Sequence, residues 1–287
     1  MRQRDPVDGF RLAYERTGGG TGVLLLHGWP GDRTDYREVV PLVSNSADVV
    51  VPDLRGFGDS DRHPADPPSQ YGAAAQARSI IGLIEELGLD RPVLAGYDIG
   101  SRVAQAVARA RPDLVRALVV SPPLPGIGDR ILDPRAQREF WYQSFHQLEL
   151  AEQLVDGQPA AVRAYLRHFW SHWSGPGFVP AEADLGHLVE GYGRPGAFTA
   201  SIAWYRAGAG SVAVSVAERA PDPADRIAVP TRVLWPAHDP LFPVAWSDRI
   251  GEFFSDVRLE HLDGAGHFTP LECPGEFAAA VTAVASP

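Results

Sequence analysis

At 287 residues, 45% of them hydrophobic and 22% charged, the chain has the make-up of a globular protein with one large domain, or one domain carrying an inserted second. A formal net charge of −10, with 26 basic side chains that are all arginine and are scattered, argues against nucleic acid or an anionic membrane as partner. One cysteine, Cys273, excludes an internal disulfide; with no apolar leader and no run of 18 apolar residues, a cytoplasmic location is expected.

Taken in order, residues 10–15 alternate apolar and polar and predict a strand, and the glycine-rich residues 17–22 predict a loose turn. The unbroken apolar run at 23–27 predicts a strand buried on both faces, ended by Gly28-Trp29-Pro30-Gly31. Residues 48–53 predict the next strand. A proline-rich loop follows, then helical periodicity from 73 to 87 closed by Gly88. The short apolar strand at 93–95 runs directly into Gly96-Tyr97-Asp98-Ile99-Gly100 and a helix-forming stretch that ends near Pro112. Residues 115–120 predict another buried strand. Strands and helices alternate as βαβ units, so the fold class is α/β with a doubly wound, mainly parallel sheet.

From about 122 to 226 the rhythm changes. Four of the seven tryptophans (Trp141, Trp170, Trp173 and Trp204) fall among helical pieces bracketed by proline-rich linkers. The parallel pattern resumes with a strand at 231–235, a helix at 244–254, a strand at 257–261 and a closing helix after Pro274. The expected organisation is a core domain of 1–121 and 227–287, with a helical cap of 122–226 inserted over the carboxyl edge of the sheet, where open α/β sheets bind ligands.

Four loops at that edge carry chemistry: His27-Gly28-Trp29-Pro30, the Asp98 turn, His238-Asp239 and Gly266-His267-Phe268. Small residues two before and two after Asp98 permit a sharp strand-to-helix turn that lifts its side chain above the sheet. The order Asp98, Asp239, His267 is that of nucleophile, acid and histidine. On these residues the chain resembles the α/β-hydrolase fold family over nearly its whole length, in the branch with an aspartate nucleophile that contains epoxide hydrolases and dehalogenases. The Asp53-x-Arg-Gly-x-Gly-Asp-Ser stretch matches the family as a mainly structural motif.

The residue type has a chemical reason. Serine attacking saturated carbon would leave an ether, whereas a carboxylate needs no base to attack and forms an ester that water can open. The resemblance implies that His267, oriented by Asp239, activates that water, and that the N–H groups of Trp29 and Ile99 form the oxyanion hole. It also implies two cap tyrosines that donate to the opening epoxide oxygen. Trp204-Tyr205-Arg206 resembles the motif of one, and Phe140-Trp141-Tyr142-Gln143 that of the other. Trp141, Trp204 and Arg102 are expected in the substrate pocket, and whether Trp141 shares the role of Tyr142 is left open.

The expected function is a cofactor-free, metal-free epoxide hydrolase acting on a small molecule and water, with a bulky or aromatic natural-product epoxide fitting the aromatic cap. A haloacetate or haloalkane dehalogenase is the alternative, favoured by Arg102 and by Tyr205-Arg206-Ala207-Gly208. Against it, Ile99 has no side-chain donor for a halide, Ser121 stands where the haloacetate enzymes carry their supporting acid, and Tyr142-Gln143 replaces a His-Trp pair. A ligand-binding protein that keeps the fold without turnover is the alternative of another class. His27 is read as bonding loop backbone, His168 and His172 as a polar pair and Cys273 as structural, and monomer or homodimer is left open.

Overall fold

The computed structural model describes residues 2–3, 6–64, 66–208 and 212–285. Eight strands form one sheet: β1 (Arg2–Gln3), β2 (Ala13–Gly18), β3 (Thr21–Leu26), β4 (Ala47–Pro52), β5 (Val93–Gly96), β6 (Ala117–Val120), β7 (Thr231–Pro236) and β8 (Val257–Leu262). They lie in the order β1-β2-β4-β3-β5-β6-β7-β8. The pairs β1/β2 and β2/β4 are antiparallel and the rest parallel. Burial explains the composition: β5 and β6 are buried at every position, whereas the edge strand β8 is exposed at its four central residues.

The helices in chain order are α1 (Val39–Val43), α2 (Pro67–Gln70), α3 (Ala73–Glu86), α4 (Ile99–Ala110), α5 (Pro134–Glu139), α6 (Trp141–His146), α7 (Glu149–Val155), α8 (Pro159–Trp173), α9 (Glu182–Tyr192), α10 (Ala197–Arg206), α11 (Val212–Ala217), α12 (Thr269–Glu272) and α13 (Pro274–Ala285). Helix α3 packs on α4 and α1 on α13, covering the sheet. Helices α5 to α11 all fall between β6 and β7. No helix among the described residues is long and apolar enough to cross a membrane.

Two expectations are corrected. Residues 17–22 are not a loose turn: β2 runs on through Gly18 and β3 begins at Thr21. Both strands pair with β4, which lies between them. Gly18 adopts φ +88°, and a Cβ there would sit 2.1 Å from the carbonyl oxygen of Ala47, so glycine serves close strand approach rather than looseness. Residues 244–252 form a 3₁₀-helix instead of an α-helix.

Candidate active site

The turn from β5 to α4 places Asp98 at φ 49°, ψ −125°, a conformation that an L-residue holds only under constraint. The constraint is the lack of Cβ atoms around it. A Cβ on Gly96 would lie 2.6 Å from the carbonyl carbon of Gly100, one on Gly100 would lie 1.9 Å from the Leu26 oxygen, and one on Gly28 would lie 2.6 Å from the Asp98 Cβ. The Asp98 N–H donates to the Pro122 carbonyl at 3.0 Å, tying the turn to the end of β6. Asp98 is thereby 6% exposed, at the N-terminus of a twelve-residue helix. The Ile99 N–H is the first of that helix and has no intrahelical carbonyl to receive it. The Trp29 N–H has no partner among the described residues.

His267 and Asp239 come from the loops after β8 and β7. His267 Nε2 lies 2.7 Å from Asp98 Oδ2, and Nδ1 lies 2.8 Å from Asp239 Oδ2. The second oxygen of Asp239 accepts the Leu241 N–H at 2.8 Å, which fixes the carboxylate. Burial alone would push the imidazole pKa down; the charges and hydrogen bonds of Asp239 and Asp98 outweigh it and raise it to about 10. The resting arrangement is an imidazolium between two carboxylates.

A residue that sequence reasoning missed holds the histidine loop. Glu272 accepts the N–H of Gly266 (2.8 Å), of Phe268 (2.9 Å) and of Gly175 (2.7 Å), bracketing His267 on both sides. The His267 N–H itself donates to the Trp173 carbonyl at 2.8 Å. The only signal for Glu272 is an acid five residues after the histidine, which does not reveal backbone partners.

Opposite these loops stand the aromatic side chains of α6 and α10. The Trp29 ring stacks on Tyr142 (centroids 5.9 Å, planes 5° from parallel) and meets Tyr205 edge-on at 5.7 Å. The two tyrosine rings are 5.5 Å apart and perpendicular. The Gln147 side-chain amide donates to the Tyr205 carbonyl at 2.7 Å and ties the end of α6 to α10. Both phenols are buried, and burial together with the negative charge of Asp98 raises their pKa values well above the ordinary tyrosine value. They are neutral donors at pH 7. The Tyr205 hydroxyl has no hydrogen-bond partner among the described residues.

Asp98, Ile99, Arg102, Tyr142, Trp204 and Tyr205 line one cavity of about 370 Å³, walled also by Phe140, Leu241 and Phe242. Trp141 does not line it, contrary to expectation. Its side chain is 42% exposed and borders a neighbouring space with Gln143 and Tyr205, because its place on α6 turns it away from Tyr142. Phe242 is a wall residue that the sequence reading did not name.

The remaining residues sort simply. His27 bonds loop backbone, with Nδ1 2.9 Å from the Gly28 carbonyl and Nε2 accepting the Leu54 N–H at 3.0 Å. Asp53 accepts the N–H groups of Arg33 and Asp59 and pairs with the Arg33 guanidinium, consistent with a structural motif. His168 and His172 stack with centroids 5.7 Å apart, and His172 contacts Glu139 at 2.6 Å. Burial pushes the Cys273 thiol up to about 12, and it donates to the Thr269 carbonyl. Among the described residues no three His, Cys, Asp or Glu side chains are grouped to hold a metal ion.

Residues 22–136 match a family described as alpha/beta hydrolase fold. The chain is similar to the soluble epoxide hydrolase of Corynebacterium sp. (strain C12), 28% identical over 277 residues, covering 93% of this chain and 91% of that protein. It is also similar to the fluoroacetate dehalogenase of a Burkholderia species, 30% identical over 195 residues, covering 67% of this chain and 64% of that protein. Among solved structures, the epoxide hydrolase CorEH superposes with a TM-score of 0.84 at 26% identity, covering 99% of this chain and 97% of that one.

Proposed function

We propose that this chain, which belongs to the α/β-hydrolase fold family, is an epoxide hydrolase that forms a vicinal diol through an ester on Asp98. Helices α5 to α11, within residues 122–226, act as a cap on a core of 1–121 and 227–287. Asp98 Oδ1, which has no hydrogen-bond partner among the described residues, attacks a ring carbon, and the C–O bond breaks. The oxygen takes its proton from Tyr142 or Tyr205. Esterification removes the negative charge of Asp98, one of the two that hold His267 protonated. The imidazole then loses its proton, which restores the phenol, and becomes the base for a water molecule. That water attacks the carboxyl carbon of Asp98, the N–H groups of Trp29 and Ile99 stabilise the oxyanion, and collapse releases the diol and the carboxylate.

The observation that carries this reading is the buried, unpartnered hydroxyl of Tyr205, a residue that lines the same cavity as Asp98 and Tyr142. A buried hydroxyl without a partner costs on the order of 1–3 kcal/mol, which a structural aromatic avoids by being phenylalanine. A dehalogenase would need donors for a leaving halide, and Ile99 supplies none from its side chain. Incubation with styrene oxide, with chloroacetate and with fluoroacetate tests the assignment. Diol formation without halide release is expected; halide release with the epoxide untouched would replace this reading by dehalogenation.

A further inference from the structure

The oxyanion donor assigned to Trp29 sits on a run of chain, residues 29–32, that is buried yet belongs to no strand or helix. The cap supplies the hydrogen bonds of the two residues that follow Trp29. The Trp170 indole on α8 donates to the Pro30 carbonyl at 3.2 Å. The Tyr192 hydroxyl, at the end of α9, accepts the Gly31 N–H at 3.0 Å and donates to the Gly31 carbonyl at 2.8 Å. Proline has no N–H, so these bonds give every backbone polar group of Pro30 and Gly31 a partner. One residue on, His187 Nε2 of α9 lies 2.7 Å from Asp32 Oδ2. The core closes the other side of Gly31. A Cβ there would lie 2.0 Å from an Asp35 oxygen, and Asp35 accepts the hydroxyl of Tyr97, the residue before Asp98, at 2.6 Å.

Tyr192 is buried, and burial together with the carboxylates Asp32, Asp35 and Asp53 holds its pKa well above the ordinary tyrosine value. The hydroxyl therefore keeps the proton that it gives to the Gly31 carbonyl. Phenylalanine would fill the same space and leave both polar groups of a buried glycine unpaired. Residues 29–32 would then shift to find other partners and carry the Trp29 N–H with them. The Trp29 ring is held separately, by its bond to Ser201 at 3.3 Å and its stack on Tyr142, so the two cap phenols keep their packing. Loss of the Tyr192 bonds thus acts on the backbone donor and spares the phenols.

We propose that Tyr192 is a positioning residue of the hydrolytic step: through Gly31 it sets the Trp29 N–H that stabilises the oxyanion formed when water attacks the Asp98 ester. The role rests on the ester mechanism proposed above. Negative charge builds on that carbonyl oxygen only in the second step, so ring opening is spared. With styrene oxide, Tyr192→Phe should lower kcat roughly 10- to 100-fold, the range for a displaced donor. KM should fall in proportion, because a slower second step fills the enzyme with ester at lower substrate concentration, and kcat/KM should stay nearly unchanged. Intact mass after rapid quenching should show a larger fraction of alkyl-enzyme than in the parent. Trp170→Phe, which frees the Pro30 carbonyl, should give the same signature, and it decides the question if Tyr192→Phe does not fold. Asp184→Asn breaks the tie of α9 to Arg37 without touching residues 29–32 and should leave kcat unchanged. Unchanged kcat and adduct fraction in Tyr192→Phe, or kcat/KM falling as far as kcat with no added adduct, would overturn the proposal. Equal accumulation in Asp184→Asn would overturn it too, since general loosening of the cap would then suffice. An adduct trapped by His267→Gln but not raised by Tyr192→Phe would remove this role alone. Diol formed by the parent with no adduct in any of these proteins would remove the ester reading and this role with it.

Discussion

The side of the site that carries Asp98, Asp239 and His267 and the side that carries Tyr142 and Tyr205 are held by different means. On the first, short loops leave the ends of buried parallel strands and are fixed by backbone contacts: Gly100 against Leu26, the Asp98 N–H on Pro122, and Glu272 on the backbone around His267. On the second, aromatic rings of Tyr142 on α6 and Tyr205 on α10, more than 60 residues apart in the chain, pack on Trp29 and on each other, with side-chain ties from Gln147 to the Tyr205 carbonyl, from Arg206 to the His146 carbonyl and from the Trp29 indole to Ser201. The first side sets positions through sterics that admit one arrangement. The second sets them through packing, where several shapes fill the same space. A fixed hydrolytic apparatus facing a variable substrate wall is what a family needs if related chains are to act on different small molecules.

Breaking the first side should have the largest effect. Gly100→Ala puts a methyl group 1.9 Å from a backbone oxygen in the layer beneath Asp98. A loss of about 4 kcal/mol or more, or failure to fold, is expected, because the clash is with backbone that cannot yield. Denaturant unfolding measures it, and a variant of wild-type stability would mean that the turn is looser than described.

The second side should respond oppositely. Tyr205→Phe removes a hydroxyl without a partner, so the variant should be as stable as the parent or more so by about 1 kcal/mol. Its turnover should fall roughly 100-fold, as for loss of one positioned proton donor. Activity lost with stability kept separates a functional hydroxyl from a packed aromatic. Unchanged turnover would return Tyr205 to the core and leave Tyr142 to act alone.

A smaller effect comes from pH. His267 titrates near 6.5 when unfolded and is raised to about 10 in the folded protein. Because the folded value is the higher, its contribution to stability is complete below about pH 6.5 and is lost as pH rises through about 10. The melting temperature should decline over that window, and His267→Gln should flatten the decline. A decline of the same slope in the variant would place the titrating group elsewhere.

The same contrast explains what was legible in the sequence. Glycines at 96 and 100 and a strand running straight into a helix leave little freedom, so the neighbourhood of Asp98, and the loops bearing Asp239 and His267, could be read from local pattern and order. The aromatic segment has no such local rule. Tyr142 and Tyr205 come together because α6 and α10 pack, and Trp141, one residue from Tyr142, turns outward for the same reason. Adjacency in sequence says nothing of side on a helix whose partners are unknown. Glu272 stayed hidden because its partners are backbone N–H groups, which any residue supplies.

In the proposed reaction the carboxylate of Asp98 is the attacking group. A single turnover of an epoxide in water enriched in heavy oxygen, with enzyme in excess over substrate, tests it most directly. If Asp98 forms the ester and water attacks its carboxyl carbon, the first diol takes its new oxygen from Asp98 and is unlabelled, and the label appears in the Asp98 peptide by mass spectrometry. A labelled first diol with an unlabelled Asp98 would mean that water attacks the ring directly.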